Sequence, residues 1–338
     1  MRLSLFKDWV EGLMSLRLLK IAPKCPSHFV QRCLLRSTDS SRPNIPWRER
    51  VWSIGIYAGT SPFDLKPSER VDNPVLTAKD VTDMQANLIA DPFMIRVGQT
   101  WYMFFEVLGW ETNCGRIGLA TSQDGFKWTY HQIVLAEPFH LSYPCVFEWA
   151  GDYYMIPESC QADSVRLYRA SDFPTQWSLV GTLLNGNAFL DSSIFRYDDI
   201  WWLFTGISHH NDALGLYYAN NLLGPWFGHP RNPILEGNPR ISRPAGRVVK
   251  FNGRVVRYAQ DCRPLYGTGV RAFEIRRLTL THYREREVRK SPILTAGGAG
   301  WNCHGMHHVD PHLMEDGQWI ACVDGWSVET EVDTSCLM

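Results

Sequence analysis

The sequence predicts an all-β protein, a five-bladed β-propeller closed by its N-terminal strands. Three observations carry that prediction. The first is a hairpin, Ala90–Glu106 (ADPFMIRVGQTWYMFFE), in which two β-prone runs flank a turn at Gly98–Gln99. The second is its recurrence. Tyr143–Glu158 (YPCVFEWAGDYYMIPE) and Asp191–Gly206 (DSSIFRYDDIWWLFTG) repeat it, with an aromatic residue ten positions after each opener. Looser copies begin at Arg243 and Asp310. Openers at 91, 143, 191, 243 and 310 give steps of 52, 48, 52 and 67 residues, a spacing typical of repeat architectures. The third is the fit of the two ends. The unit around Trp52–Leu76 lacks two inner strands, and the unit begun by Asp310 lacks two outer ones. Joining them completes a blade, closes the ring and removes two exposed sheet edges.

The elements follow in chain order. Residues 1–50 read as leader and linker, a short helical or disordered segment. Leu5, Trp9, Leu13 and Leu16 fall at near-helical spacing. Lys7, Asp8 and Glu11 interrupt the apolar run, so it makes neither a secretion signal nor a membrane span. Ser37–Pro46 has linker composition. Residues 51–330 form the propeller and 331–338 a tail. Within each blade a third strand follows the hairpin: WSIGIYAG, RIGLATS, VRLYRAS and LGLYYAN. Outer strands are expected at Ile133–Leu135, Thr182–Leu184 and Asn232–Leu235. Asn73–Leu76 (NPVL) and Ser291–Leu294 (SPIL) match the last of these.

Composition narrows the function. The net charge is −1, which provides no basic field for nucleic acid. The 14 tryptophans pack between sheets by default, and some could line a sugar site. Nine cysteines without a CxxC pair fit buried thiols in a reducing, cytoplasmic setting.

The innermost strand of a propeller blade lines the channel, so the openers Asp91, Tyr143, Asp191, Arg243 and Asp310 gather near the axis. Two readings stand for them: chemistry at a channel mouth, or side chains tying strand starts to neighbouring amides. Glu106 and Glu158 end second strands at equivalent positions. Strand alternation puts Arg243 and Arg247 on one face as a cationic clamp, with Asp261 to orient it. His307, His308 and Asp310 (HHxD) resemble metal ligands. Adjacent strand side chains point to opposite faces, however, so at most one histidine joins Asp310, and no metal or other cofactor is assigned. No nucleophile elbow and no glycine-rich phosphate loop is present.

The motifs WSIGIYAG, NPVLTAKDVTD, WYMFFEV, GLATSQDGFKW, FHLSYPCVFEW, YYMIPES, RPAGR, QDC and WIACVDGW together resemble the N-terminal propeller domain of plant glucosamine inositolphosphorylceramide transferases and its stand-alone cyanobacterial relatives. In the plant proteins the glycosyltransferase domain is a separate C-terminal one. It has no counterpart in these 338 residues, so transferase activity is not carried over. A more distant resemblance runs to the five-bladed glycosidases of glycoside hydrolase family 43. It implies Asp91 as general base and Asp191, in place of that family's Glu, as general acid. Tyr143 stands where their second acidic residue would be, and Glu158 could substitute.

Two functions follow. The first is an enzyme acting on a glycosidic bond of a glycan or glycolipid. Asp91, Asp191 and Glu158 would be catalytic, and Tyr143, Arg243, Arg247, Asp261, His307 and Asp310 would bind substrate. Inverting hydrolysis needs two carboxyl groups roughly 6.5–9.5 Å apart. The second is a non-catalytic glycan- or partner-binding propeller that accompanies a glycosyltransferase.

Overall fold

The computed structural model describes residues 49–110 and 112–328, so the expected helical leader and the tail lie outside the described residues. Five antiparallel sheets form the ring. Blade 1 comprises Ala86–Val97, Thr100–Gly109, Gly115–Ser122 and Thr129–Leu135. Blade 2 comprises Ser142–Trp149, Asp152–Glu158, Ser164–Asp172 and Gln176–Asn185. Blade 3 comprises Leu190–Tyr197, Ile200–Gly206, Leu214–Ala219 and Phe227–Gly228. Blade 4 comprises Val249–Phe251, Arg254–Asp261, Gly269–Leu278 and Tyr283–Glu287. Blade 5 joins Val309–Leu313 and Trp319–Val328 to Arg50–Ser61 and Asp64–Pro67.

That last sheet is the predicted closure. Arg50–Gly59 pairs antiparallel with Trp319–Val328, with Trp52 opposite Trp326 and Ala58 opposite Ile320. Apolar runs such as WYMFF make sense in this frame. Side chains alternate across a strand, and both faces of a blade are buried. Trp101, Met103 and Phe105 pack toward blade 5, while Phe104 packs toward blade 2, edge-on to Trp177 at 5.4 Å. Each such side chain contributes about 1.5–3 kcal/mol by leaving water.

The outer edge differs from expectation in blades 3, 4 and 5. The fourth strands there are Phe227–Gly228, Tyr283–Glu287 and Asp64–Pro67, which precede the Asn-Pro and Ser-Pro segments. Those segments instead fold back onto the third strands, with Leu294 opposite Val270 in blade 4. Asn73 accepts from the Ile56 N–H (2.7 Å) and donates to the Ile56 carbonyl (3.0 Å), and Asn232 does the same with Leu216 (2.8 and 2.7 Å). A carboxamide reproduces a peptide group, so one Asn side chain replaces a ladder rung beside a proline that cannot donate.

The channel is filled. The Arg247 guanidinium, from blade 4, donates to the Val146 carbonyl of blade 2 (2.8 Å) and the Met94 carbonyl of blade 1 (2.9 Å). It also pairs with Asp310 of blade 5 (2.7 Å). Asp310 accepts in addition from the Met94 N–H (2.6 Å) and lies 2.8 Å from His312 Nε2. Nearby, the Tyr143 hydroxyl accepts from the Gly246 N–H (2.5 Å) and lies 2.8 Å from Ser193 Oγ, which donates to the Gly246 carbonyl (2.9 Å). Gly246 has φ +136°, and a Cβ there would stand 1.8 Å from the Val309 carbonyl oxygen, so only glycine fits.

Two predictions test this architecture. A chain starting at Phe63 lacks the closing strand and should melt well below one starting at Glu49, followed by circular dichroism; equal melting temperatures would refute closure. Arg247→Leu leaves a buried carboxylate without its cation, a change that costs about 3–5 kcal/mol. A loss under about 1 kcal/mol in urea unfolding would show that the guanidinium does not hold the ring.

Candidate functional site

The openers of blades 1, 2 and 3 share an uncommon backbone. Asp91, Tyr143 and Asp191 have φ of 53°, 47° and 49°, each at a register shift in the hairpin. The left-handed region is accessible to Asp but is strained for Tyr. In blades 1 and 3 this turn hands the opener's N–H to an acidic side chain on the second strand of the preceding blade. Asp91 N donates to Asp324 Oδ2 (3.0 Å), and Asp191 N donates to Glu158 Oε2 (3.0 Å). In these two blades the ties to backbone are made by second-strand acids and the opener carboxylates face other partners, whereas the blade 5 opener Asp310 itself accepts from the Met94 N–H.

Asp191 faces Arg243. Arg243 Nε lies 2.5 Å from Asp191 Oδ2, and Nη2 lies 3.2 Å from Oδ1 and 3.4 Å from Glu158 Oε2. Gln260 Nε2 donates to Asp191 Oδ2 (2.6 Å), and Arg243 Nη1 donates to Asn211 Oδ1 (2.9 Å). Burial works to raise the Asp191 pKa, but the charge and bonds of Arg243 hold it below the usual carboxylate range. The half-buried Tyr266 ring lies 5.3 Å from the guanidinium and 5.2 Å from the His307 ring, at the edge of the cluster.

Asp91 is placed differently. Its Oδ1 is buried without a hydrogen-bond partner. His307 Nε2 and His308 Nδ1 each lie 3.8 Å from that oxygen. Burial, then the charges of Asp191, Asp324 and Glu106, push the Asp91 pKa well above its ordinary value. Asp324 accepts from the amides of His307 (3.2 Å) and His308 (3.0 Å) and lies 2.8 Å from His307 Nδ1. Burial opposes its ionisation, but the two histidines and the Asp91 amide keep its pKa low. The His308 ring sits between Phe93 (4.6 Å) and Tyr143 (5.2 Å), and burial pushes its pKa down to about 4.

The expected residues thus separate into groups. Asp91, Asp191, Glu158, Arg243 and His307 come together at one mouth. Tyr143 plugs the channel beneath them. Asp310 pairs with Cys322, two residues before Asp324, so it sits deeper than the other openers and binds Arg247. Arg243 and Arg247 form no common clamp, because Gly246 interrupts the strand that would have aligned them and regular pairing begins only at Val249. Asp261 binds Arg240 (3.1 Å) and Arg271 (2.8 Å) instead of either. Both histidines of the HHxD run approach Asp91, since they precede the strand and escape its alternation, and His312 joins Asp310. Ligand atoms of Asp91, His307 and Asp324 lie within 4.8 Å of one another, the spacing of a cation site. The Asp324 oxygens are already engaged by three amides and a histidine, which assigns the group a hydrogen-bonding role. Sequence reasoning missed Asp324, Gln260, Asn211 and Tyr266. Asp324 carried a signal: it stands five residues after Trp319, as Glu106 does after Trp101 and Glu158 after Tyr153.

A closed ring of five antiparallel blades, four with four strands and blade 4 with Leu294–Thr295 added to its third strand, and with polar inner-strand openings, defines the five-bladed propeller class. Solved members with the same fold include an α-L-arabinanase from Cellvibrio cellulosa (TM-score 0.52, 17% identity, 70% of this chain and 90% of that one). Another is an exo-β-1,3-galactanase from Clostridium thermocellum (TM-score 0.50, 15% identity, 62% and 51%). Within that class the chain belongs to the family described as glucosamine inositolphosphorylceramide transferase 1, N-terminal, which matches residues 46–326. The transferase 1 of rice (Oryza sativa subsp. japonica) is 37% identical over 303 residues, 83% of this chain and 41% of the rice protein. That of Arabidopsis thaliana is 38% identical over 299 residues, 82% and 39%. The chain therefore spans about two fifths of the length of these relatives.

The Asp91 environment sets a signed pH prediction. A carboxyl whose folded pKa is raised weakens the fold progressively as pH rises from the unfolded pKa to the folded one, and the full penalty is present above the folded pKa. The penalty fades as pH falls toward the unfolded value, about 3.9. Asp91→Asn should therefore be more stable than the parent at pH 8, and the gap should close toward pH 4. A gap of constant size across urea melts at these pH values would show that Asp91 does not titrate in this way.

Proposed function

We propose that this propeller binds the sugar part of a glycan or glycolipid at the charged mouth and serves as a recognition domain for a glycosyltransferase. One observation carries the reading: Asp191 is fully buried, with both oxygens engaged by Arg243 and Gln260. A general acid or base must reach the reacting atoms with a free lone pair or proton. Asp191, fully buried and held ionised by Arg243, has no proton to give and no open approach for a substrate, whereas a preorganised array of donors and acceptors beside an aromatic ring suits hydroxyl recognition. Arg243, Glu158 and Asp91 form the floor of the site, and Asn211 and Tyr266 form its accessible rim. The family name supports a sugar-containing partner.

A second reading rests on Asp91. Its raised pKa and unpartnered oxygen fit a proton donor to a leaving glycosidic oxygen, the reverse of the base role expected from its position. Glu106, one of the charges that raise Asp91, or Glu158 would then activate water.

Purified protein should be screened against immobilised glycans and glycosylinositol lipids, with release of free sugar followed in parallel. Binding without turnover is the expected result. Tyr266→Ala and Asn211→Ala should weaken it at least about tenfold with little change in melting temperature, the scale of losing one good contact. Sugar release that Asp91→Asn abolishes would replace the binding reading with the second one. Unchanged binding in both rim variants would remove the mouth as the site.

A further inference from the structure

The inner strand of blade 2 runs from Ser142, beside the charged mouth, to Trp149, roughly 23 Å away at about 3.3 Å per residue. At that far end the inner strands of blades 2, 3 and 4 enclose a cleft of about 270 Å³. Its lining includes Phe147, Trp149 and Trp201, with Glu148, Arg196 and Lys250, and Arg247 closes its inner end. The described contacts place none of the charged-mouth residues in it.

Trp149 is 36% exposed, whereas six of the twelve described tryptophans are buried. Its orientation is fixed from two sides: the Trp201 ring meets it edge-on at 5.0 Å, and the Arg196 guanidinium lies 4.8 Å from its ring centre. Glu148 and Lys250 stand exposed at the rim. The charges nearby are largely balanced, since Arg247 is paired with Asp310 and Arg196 with Asp199 (2.9 Å). An anion would find no uncompensated guanidinium here and would meet Glu148. An apolar peptide would bury charged side chains against itself at a cost.

A sugar ring matches what remains. It has an apolar C–H face to lie on a tryptophan, and a belt of hydroxyls for a carboxylate and an ammonium at the edge. The volume, just under the roughly 300–1,000 Å³ of pockets for drug-sized ligands, suits one or two such rings. We propose that this cleft is a second carbohydrate site, in which a neutral sugar ring stacks on Trp149 and its hydroxyls bond Glu148 and Lys250. The site does not depend on the reading given to the charged mouth.

The test follows the Trp149 indole N–H resonance, assigned by its loss in Trp149→Phe. The probes are glucose, galactose, mannose, xylose, arabinose and inositol, and short oligosaccharides of the first five. The resonance should shift on titration with at least one of them. It should shift equally in Asn211→Ala, which alters only the other mouth. Glu148→Gln and Lys250→Ala, both exposed and compatible with folding, should weaken the response at least about tenfold. A resonance that no probe moves overturns the proposal. So does a shift that both rim variants leave unchanged, or one that Asn211→Ala abolishes.

Discussion

The Arg247 guanidinium is the point on which the ring depends. It starts on blade 4 and ends on carbonyls of blades 1 and 2 and a carboxylate of blade 5. Only a planar group with several donors can meet partners in three directions at once. Its neighbours are arranged around that need. Asp310 is fully buried yet ionised, because burial is outweighed by Arg247 and His312, which hold its pKa far below the usual carboxylate range. Gly246 lets the backbone pass within contact of blade 5, and Tyr143 fills the space above.

With the axis plugged, each mouth becomes a shallow site with its own character. The charged mouth is built by a repeated device: a left-handed opener, a bulge, and an acidic residue from the preceding blade that takes the opener's amide. Because the acid comes from the neighbouring sheet, blades 5 and 2 help to set the first residues of blades 1 and 3. Two acidic side chains of the same kind are pushed in opposite directions. Arg243 holds the Asp191 pKa down against burial, whereas burial and the charges of Asp191, Asp324 and Glu106 push the Asp91 pKa up.

The fold was legible because its signals are local. A hairpin with the same aromatic offset seen three times, with two looser copies, needs no knowledge of distant contacts. Closure was legible for a similar reason, since the incomplete units at the two ends matched. The site was legible only as a list. Asp91, Asp191, Glu158 and Arg243 could be placed near the axis by repeat position, but Arg243 choosing Asp191, and Arg247 choosing Asp310, depends on how blades abut. The expected Arg243–Arg247 clamp failed on a single glycine, because strand alternation holds only where a strand is continuous. The outer strands were misplaced because Asn73 and Asn232 imitate a ladder rung with their side chains, and the segments carrying them are as β-like in sequence as true strands.

Arg50 and Val328 face each other in the closing pair, and Arg50 Nη1 lies 3.3 Å from the carbonyl of Tyr266 at the charged mouth. The polypeptide therefore enters and leaves the ring side by side, next to that mouth. Anything joined to either side is leashed there, and it meets whatever the mouth holds as a tethered neighbour rather than by free diffusion. A short flexible leash corresponds to an effective concentration on the order of millimolar. Even a weak hold on a ligand would then be enough to pass it to an attached domain.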